Sequence, residues 1–496
     1  MRTCGLGSLC SLASPRETCG PKPALGIRER RPQRRAARGS LPTVFDGVGR
    51  GGLAWNGRAE FRCIRCMPGA AVAAFAMALH GLRNHVCPYH GRMSERFDIV
   101  IVGGGLVGSS LAIALDGCGF RVALVEAAMP RVADQPSYDE RNLALARASI
   151  NALQALGVWA HTGDQASPIK RIHVSRRGDF GAVHLDAAEL GLPAFGAVLP
   201  ARELGNALLH RLDECSALTR IAPAQVMGLE SRADAVEVTM RAGDEERRIS
   251  TRLLVGADGT ESFVRRHFGI GTRRTDYAQC AFVTTVTTDR TLDGMAYERF
   301  TDSGPVALLP LGQHRAGLVL SVPAGDAERV ADLDDAAFIA LVHERFGYRA
   351  GRLSRPGRRK PYPLARVLAD ALTAPRCVLV GNAAQTVHPL GAQGFNLGLR
   401  DALTLSELLV GAEQAGTDPG SADLLAAHVA RRAADREATT AFSDDLVRLM
   451  GHDLLPLRAL RSLGFVALDR LAPLKRRMAL RGMGFRGDVS ALALSR

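Results

Sequence analysis

A short apolar run that leads directly into a glycine-rich turn constrains this chain more than any other feature. Residues 97–102 read FDIVIV, as expected for a parallel β-strand that is buried on both faces. The turn Gly103-Gly-Gly-Leu-Val-Gly108 follows at once, a helical pattern opens at 111–115, and a second strand at 121–125 ends at Glu126. This order of strand, Gly-x-Gly-x-x-Gly, helix, strand and acid predicts a dinucleotide-binding unit rather than an ordinary glycine turn.

Each residue of this fingerprint has a distinct expected task. Gly103 permits the tight turn, Gly105 lets a pyrophosphate approach the backbone, and Gly108 lets the helix pack close to the strand. The helix N-terminus offers N–H groups and a positive dipole to the phosphates. Glu126 is placed to accept hydrogen bonds from a ribose diol, which favours FAD or NAD over NADP in this pocket.

A second motif follows an apolar strand that ends in Ala-Asp258-Gly259. A Ser262-x-x-Arg265 helix start comes directly after it. Two interpretations stay open from the residues alone. The turn contributes to a nucleotide site, or it is an Asp-Gly turn that leads into a capped helix for local reasons.

A third motif combines a buried strand, a Pro/Gly-rich loop and a glycine-rich helix start. A helix that begins with glycine leaves bare N–H groups facing an anionic or electron-rich ligand, as a reduced flavin requires. His388 is an acid/base candidate here, against the alternative that it packs beside Pro389. The candidate residues of the motif are Asn382, His388, Pro389, Gly394, Phe395 and Asn396.

The first 92 residues differ in composition from the rest of the chain. They hold 15 Lys and Arg against 4 Asp and Glu, whereas the other 404 residues hold 48 against 46. Of the net charge of +13, +11 therefore belongs to this segment and only +2 to the body, which does not have the charge of a nucleic-acid-binding protein. We interpret residues 1–92 as an upstream extension without a fold, with Met93 as the true start, and expect its deletion to leave activity intact.

Two alternatives remain for the same segment. It is Arg-rich and acid-poor, as targeting peptides are. Six of the ten cysteines also lie here, and a zinc site is conceivable, although their spacing is a weak match to paired ligand motifs. Its candidate ligands are Cys63, Cys66, His85, Cys87 and His90. We expect no metal site in the body, and the longest apolar stretch, 70–79, is too short to span a membrane.

The three motifs, in this order and at this separation, resemble the FAD-dependent aromatic hydroxylases of the para-hydroxybenzoate hydroxylase type. More narrowly, the chain is similar to the ubiquinone-biosynthesis ring hydroxylases, over about Met93 to Arg481. The segments that carry this similarity are Ser137-Tyr-Asp-Glu-Arg141-Asn-Leu-Ala-Leu, Tyr297-Glu-Arg-Phe-Thr-Asp-Ser-Gly-Pro-Val-Ala-Leu-Leu-Pro310 and Gly381-Asn-Ala-Ala-Gln-Thr-Val-His-Pro. In the third motif the family at large prefers Gly-Asp-Ala-Ala-His. This chain has Asn382 and Gln385 at two of these positions, which resembles the 2-polyprenyl-6-methoxyphenol hydroxylase branch.

The resemblance implies an α/β fold with a Rossmann-like FAD-binding domain, an inserted mixed β-sheet substrate domain and a helical C-terminal region. The FAD-binding domain would comprise residues 93–272 and 371–410. The substrate domain would comprise 273–370 together with a segment at about 165–200. The helical region would comprise 411–496, after an N-terminal extension at 1–92.

The resemblance also implies roles for individual residues. Gly103, Gly105, Gly108 and Glu126 would hold the adenosine half of FAD, and Arg141 would be a counter-charge near the phosphates. Asp258 and Gly259 would lie near the pyrophosphate and the groove where NAD(P)H docks. Asn382 would meet the ribityl chain, Gly394, Phe395 and Asn396 the flavin ring edge, and Pro389 the ring face. Two departures are Asn382, which is neutral where the family has an acid, and Ala201, where many relatives place Arg or Gln and where the adjacent Arg202 is a doubtful substitute.

The implied reaction is hydroxylation of a polyprenylated phenol by NAD(P)H and O2 through a C4a-hydroperoxyflavin, with loss of water. Residues 446–485 carry eight Lys and Arg among many Leu, Met and Phe, which suits either a peripheral contact with anionic lipid or a solvated helix face. We therefore expect a cytoplasmic protein, peripheral on the inner face of the membrane, within a ubiquinone-biosynthesis complex. The alternatives are a ring hydroxylase of different position specificity, a flavin reductase acting on prenyl lipids, and a non-catalytic lipid-binding scaffold.

Overall fold

The structure, a computed structural model, describes residues 95–129, 141–451 and 454–494 of the 496. The expected N-terminal extension, the Cys/His zinc candidates, Met93 and the first four residues of the Ser137–Arg141 motif lie outside the described residues. Strands are numbered β1–β20 and helices α1–α11 in chain order.

The first sheet has eight strands, and its centre is parallel in the order β19-β11-β1-β2-β8. β18 pairs with β19, and β9 and β10 extend the sheet from β11 as antiparallel strands. The strands are β1 (Glu95–Val102), β2 (Val122–Val125), β8 (Leu218–Ile221), β9 (Gln225–Ser231), β10 (Val236–Ala242), β11 (Glu245–Gly256), β18 (Thr373–Ala374) and β19 (Cys377–Leu379).

The apolar run of β1 is explained by burial on both faces of this sheet. Ile99 and Ile101 belong to one hydrophobic cluster, and Val100 and Val102 belong to another on the opposite side. The first cluster includes residues of several helices, among them α1 (Leu106–Ala114), α3 (Ala201–Asp213) and α7 (Gln393–Gln414). Helix α1 begins directly after Gly105, five residues earlier than its sequence pattern indicates.

Register brings the three motifs to one edge of the sheet. Val102 at the end of β1 pairs with both Gly256 of β11 and Val125 of β2, and Gly256 in turn pairs with Leu379 of β19. The turns that follow these strands therefore emerge side by side at the carboxyl ends, where open α/β sheets bind their ligands.

The second sheet has nine strands and is mixed, in the order β20-β17-β12-β15-β14-β13-β5-β6, with β16 paired to β12. Only its β13–β5 pair is parallel among the described strands. The strands are β5 (Arg171–Arg176), β6 (Ala182–Asp186), β12 (Thr272–Thr288), β13 (Met295–Phe300), β14 (Val306–Leu311), β15 (Arg315–Pro323), β16 (Leu353–Ser354), β17 (Pro361–Ala369) and β20 (Gln385–Thr386). One of its faces packs under α5 (Ala327–Ala331) and α6 (Asp335–Phe346).

The chain between β2 and β8 also forms a small antiparallel sheet of β3 (Asn142–Ala146), β7 (Gly196–Pro200) and β4 (Ser167–Ile169), together with α2 (Arg147–Ala155). The short α4 (Phe263–His267) follows the second motif. The C-terminal part is helical, with α8 (Ala422–Gly451), α9 (Leu455–Arg470), α10 (Ala472–Gly482) and α11 (Ala491–Leu494). The α/β fold with a Rossmann-like unit, a mixed second sheet and a helical C-terminal region is thus confirmed.

Among the described helices, none combines the length and the apolar character that crossing a bilayer demands.

Candidate active site

One cavity of about 1660 Å³ collects nearly all of the predicted site residues. The predicted residues that line it are Gly103, Gly105, Glu126, Arg141, Asp258, Gly259, Asn382, His388, Pro389, Gly394, Phe395 and Asn396. Gly108 is the exception, because it lies behind the wall rather than in it. Pockets for drug-sized ligands usually measure about 300–1,000 Å³, so this space is large enough for a dinucleotide and a second molecule.

The glycines of the first motif separate into packing positions and an open position. Gly103 has a φ of +106°, and a Cβ on it would lie 2.9 Å from Cα of Asp258 in the second motif. A Cβ on Gly108 would lie 1.9 Å from the carbonyl oxygen of Gly103, so helix α1 rests directly on the turn. Gly105 has no atom within 4 Å of such a Cβ and lines the cavity. The bare backbone at Gly105 therefore faces space that a ligand can enter.

The third motif is packed against the first through Val107. A Cβ on Gly398 would lie 2.8 Å from Val107 Cγ2, and one on Gly381 would lie 3.1 Å from the same atom. The absence of side chains at these two positions lets β19 and α7 approach α1 closely. This contact places the start of α7 beside the glycine turn.

Arg265 ties the second motif to the third. Its Nη1 donates to the carbonyl oxygen of Ala383 at 2.9 Å, and its Nη2 donates to the carbonyl oxygen of Thr260 at 2.8 Å. Ser262 caps α4 by accepting a hydrogen bond from Arg265 N at 2.9 Å. The Ser-x-x-Arg segment thus caps a helix and also joins two motifs by hydrogen bonds. The local sequence could not show that it has both roles.

Two of the carboxylates at the cavity, Glu126 and Asp258, are held by backbone donors. Glu126 Oε2 accepts from Gly104 N at 2.7 Å, and its Oε1 accepts from Ala128 N at 2.9 Å. Asp258 Oδ2 accepts from Val264 N at 3.0 Å, whereas its Oδ1 is buried without a hydrogen-bond partner among the described residues. A buried acceptor without a partner is costly, so this oxygen suits a donor on a bound molecule.

The first turn of α7 is anchored by Asn396. Its Oδ1 accepts from Ala146 N at 2.9 Å and Ser149 Oγ at 2.7 Å, and its Nδ2 donates to the carbonyl oxygen of Ala144 at 3.0 Å. This side chain is committed to β3 and α2, so any contact of Asn396 with a ligand must come mainly from its backbone. Gly394 has open space where a Cβ would lie, which leaves that turn accessible from the cavity.

His388 is buried and neutral near physiological pH. Burial lowers the pKa of its imidazole to about 4. Its Nδ1 accepts from Leu390 N at 3.3 Å, and its ring packs edge-to-face on Tyr277 with 5.0 Å between centroids. These contacts favour the packing interpretation over acid/base chemistry near neutrality. The remaining nitrogen, Nε2, has no hydrogen-bond partner among the described residues and is available as a donor in the cavity wall.

The two departures from the family pattern lie in different places. Asn382 is exposed on the cavity wall. Ala201 begins α3 and is buried away from that wall, and Arg202 is exposed with its Nε 3.3 Å from Glu203 Oε1. Arg202 therefore does not replace a cavity arginine. Arg141 does reach the cavity, with its guanidinium 6.0 Å from the centre of the Tyr362 ring.

Sequence reasoning missed the opposite half of the cavity. Strands β5, β6, β13, β14 and β15 supply an apolar wall that contains one carboxyl group, Glu298. Helices α8, α9 and α10 close the far end with the partly exposed Phe442, Leu449, Leu460 and Leu474. For the wall formed by the strands, the sequence offered one indication, which is the alternation of Ala296, Glu298 and Phe300 along β13.

The helices at this end of the cavity correct part of the expectation that the basic residues of 446–485 face lipid. Arg458 and Arg461 do not belong to a lipid-facing surface, because both lie against Asp179, with Arg461 Nε 2.6 Å from Asp179 Oδ2. Lys475 is 2.9 Å from Glu189 Oε2. The exposed basic residues that remain on α9 and α10 are Arg470, Arg476, Arg477 and Arg481.

The donor and acceptor set of the cavity fits FAD. A bare glycine turn at a helix N-terminus suits a pyrophosphate, and a carboxylate at the end of β2 suits a ribose. The unpartnered Asp258 Oδ1 and His388 Nε2 and the open first turn of α7 leave further polar groups for an isoalloxazine or its ribityl chain.

Comparisons with known proteins agree with this fit. The chain is 38% identical over 397 residues to ubiquinone hydroxylase UbiL of Rhodospirillum rubrum, covering 80% of this chain and 92% of the relative. It is 34% identical over 391 residues to 3-demethoxyubiquinol 3-hydroxylase of Escherichia coli, covering 78% and 98%. The solved structure of p-nitrophenol 4-monooxygenase PnpA from Pseudomonas putida shares the fold, with a TM-score of 0.66 at 20% identity, over 79% of this chain and 99% of that one. The profile of the FAD binding domain family matches residues 96–443, and the chain belongs to that family.

Proposed function

We propose that this protein is an FAD-dependent monooxygenase that uses NAD(P)H and O2 to hydroxylate the aromatic ring of a polyprenylated phenol in ubiquinone biosynthesis. The observation that carries the proposal is the single cavity shared by the three motifs and the apolar wall of the second sheet. Relatives named ubiquinone hydroxylase and 3-demethoxyubiquinol 3-hydroxylase, which cover more than three quarters of this chain, support the same substrate class.

The chain's own residues would hold FAD from one end of the cavity to the other. Gly105 and the start of α1 would receive the pyrophosphate, and Glu126 would accept from the adenosine ribose. The first turn of α7, with Gly394, would direct its N–H groups and helix dipole at the edge of the ring system. Asn382 would hydrogen-bond the ribityl chain as a neutral partner.

Bound FAD accepts hydride from NAD(P)H and activates O2 for transfer to an electron-rich ring. The protein contributes orientation and exclusion of water, which protects the activated oxygen from unproductive decay. Val174, Leu185, Phe300 and Leu309 present an apolar surface for this purpose on the second sheet. They would also receive the apolar part of the substrate.

A polyprenylated phenol must be collected from a bilayer, and the far end of the cavity suits that source. Leu460 and Leu474 line the cavity and are 67% and 44% exposed, so they form part of its mouth. Leu455 and Leu463 on α9 are 76% and 59% exposed. Exposed leucines beside exposed arginines are the chemistry of a surface that rests on anionic lipid. We infer that α9 and α10 dock on the membrane and that the prenyl tail enters between them.

The function is tested with the purified full-length chain. Bound flavin is read from its visible absorption, and turnover from NAD(P)H-dependent transfer of one labelled oxygen atom of O2 into a short-chain polyprenylphenol. Rescue of ubiquinone synthesis in a deficient strain identifies the intermediate consumed. A protein that is colourless and takes up no FAD would contradict the proposal and favour the non-catalytic scaffold, whose only sequence support is Asn382 and Ala201.

Membrane docking is tested by sedimentation with vesicles that contain phosphatidylglycerol. The double variant Leu455→Ser, Leu463→Ser should bind about 100-fold more weakly, since each buried leucine contributes about 1.5 kcal/mol. Met227→Ser is the matched control, because Met227 is 46% exposed on β9, away from these helices. Equal binding of the double variant and the control would contradict the docking of α9.

A further inference from the structure

The second sheet presents one carboxyl group to the cavity, on the strand β13. Side chains alternate along a strand, and Ala296, Glu298 and Phe300 accordingly all line the cavity. In the register of the sheet, Glu298 lies opposite Ala307 of β14 and Val174 of β5, which line the cavity as well. Glu298 is therefore held on an interior strand with an apolar neighbour on each side.

The carboxyl group of Glu298 has no partner among the residues that the structure describes. It makes no hydrogen bond or ion pair with another described residue, and none of the other described residues that the second sheet contributes to the cavity wall is charged. The charged groups on the helices across the cavity include Arg477 and Arg481 of α10 and Arg461 of α9, the last of which is held by Asp179. Desolvation at the cavity wall raises the pKa of Glu298 to about 7, and the residue is half-buried there rather than fully enclosed.

The packing of the cavity wall does not explain why a carboxyl group stands at position 298. A residue that only filled this wall would be apolar like Val174 and Ala307, because even a half-buried acid without a partner loses part of its hydration at a cost in free energy. Ionisable groups with shifted pKa values cluster at sites where they exchange protons with a ligand. The hydroxyl of a phenol is the proton donor that the proposed substrate would bring to this wall.

We propose that Glu298 is a catalytic base that removes the proton of the substrate's phenolic hydroxyl and thereby activates the ring for hydroxylation. The inference rests on the proposed function. The O–H bond breaks, its electron pair stays on the phenolic oxygen, and the proton bonds to a carboxylate oxygen of Glu298. The phenolate is a stronger nucleophile at its ortho and para carbons than the neutral phenol.

The remainder of the cycle restores the carboxylate. O2 is the oxidant and the hydride of NAD(P)H is the reductant. One oxygen atom enters the ring, and the other leaves as water together with the hydrogen of the hydride and one proton from solvent. The substituted carbon loses its hydrogen as a proton when the ring regains aromaticity, and this proton passes to the new oxygen. Glu298 returns its own proton to the original phenolic oxygen before the product leaves.

The first test measures hydroxylation by FAD-loaded full-length protein from about pH 5.5 to about pH 8.5. In the wild type, kcat/KM should rise through about pH 7 and then level, since only the ionised carboxylate accepts the proton. Glu298→Gln has the same shape and cannot accept a proton, so product formation should fall about 10²–10³-fold at high pH, and the inflection near pH 7 should vanish. Glu298→Asp should restore part of the rate together with a pH inflection.

The matched control is Glu328→Gln, the same change at an exposed position on α5. It should leave the rate and the pH profile unchanged. FAD content and thermal unfolding of each variant separate a chemical effect from misfolding. Glu298→Gln should unfold at the same temperature as the wild type or higher, because it removes a half-buried ionisable group that has no partner among the described residues.

A second readout does not depend on turnover. Binding of a short-chain phenol, followed by its ultraviolet difference spectrum, should tighten as the pH rises through about 7 in the wild type and should be independent of pH in Glu298→Gln over that interval. If the wild type hydroxylates the phenol and Glu298→Gln does so with the same rate and pH profile, the role of Glu298 is overturned and the proposed function stands. Absence of hydroxylation by the FAD-loaded wild type would overturn the proposed function and this inference with it.

Discussion

Two glycines three residues apart should respond to substitution in opposite ways. Gly105 has φ −67° and ψ −176°, a conformation open to any residue, and its missing Cβ would meet no atom within 4 Å. Because Thr and Gly are about equal as helix N-caps, Gly105→Thr should change the free energy of unfolding by less than about 0.5 kcal/mol. Its added atoms occupy the space into which the pyrophosphate would approach.

The magnitudes follow from the same geometry. Gly108→Ala places a Cβ 1.9 Å from Gly103 O and 3.2 Å from Ala257 Cβ, so helix α1 must shift by more than an ångström. Such overpacking costs about 1–3 kcal/mol, and the gain of about 1 kcal/mol in helix propensity offsets only part of it. Gly105→Thr should instead weaken FAD binding at least ~100-fold, which corresponds to about 2.7 kcal/mol.

The assay combines denaturant unfolding of the FAD-free proteins with titration of flavin fluorescence. Gly105→Thr should retain the wild-type unfolding midpoint and lose affinity, whereas Gly108→Ala should lose stability first. If Gly105→Thr bound FAD as tightly as the wild type, the cavity beside Gly105 would not be the pyrophosphate site. A fully stable Gly108→Ala would refute the packing argument.

Three further outcomes concern the helices of the C-terminal half. Arg432→Met should lower the free energy of unfolding, measured by denaturant titration, by about 3–5 kcal/mol. The change removes the guanidinium that lies 2.7 Å from the buried carboxylate of Asp401 and 2.6 Å from that of Asp435. An effect below about 1 kcal/mol would contradict the ion network. Gly411→Ala, at an exposed position within α7 with no atom near its Cβ, should raise stability by about 0.5–1 kcal/mol and leave FAD binding unchanged. Burial lowers the pKa of His428 to about 4, so the folded state binds fewer protons than the unfolded chain between about pH 6.5 and pH 4 and loses stability as the pH falls through that interval. His428→Leu should therefore gain about 2 kcal/mol relative to the wild type between about pH 8 and pH 5 in pH-dependent unfolding, and parallel stability curves for the two proteins would refute this assignment.

The strength of the sequence predictions varied with how local their signals were. The strand, turn and helix around Gly103–Gly108 were predictable because chain neighbours determine glycine turns and apolar strands. The Ser262-x-x-Arg265 motif remained ambiguous, since the partner that explains Arg265, the carbonyl oxygen of Ala383, lies far away in the chain. The acid/base interpretation of His388 depended on its surroundings, and burial beside Tyr277 favours packing instead.

The amino-acid sequence by itself determined the βαβ unit and the three glycine-rich turns, because periodicity and turn chemistry act over a few residues. The expectation that the three turns serve one nucleotide came from the resemblance to the FAD-dependent aromatic hydroxylases. Only the tertiary structure decided which groups share the cavity. Parallel register brought the ends of β1, β2, β11 and β19 to one edge, and the pairing of β13 with β5 and β14 turned Glu298 toward the same space. Arg458 and Arg461 were drawn to Asp179, which left the leucines and the other arginines of α9 and α10 exposed around the mouth. Most of these outcomes depend on contacts between residues more than a hundred positions apart, such as those of β1 with β11, of β13 with β5 and of Arg461 with Asp179, and no local pattern encodes such contacts.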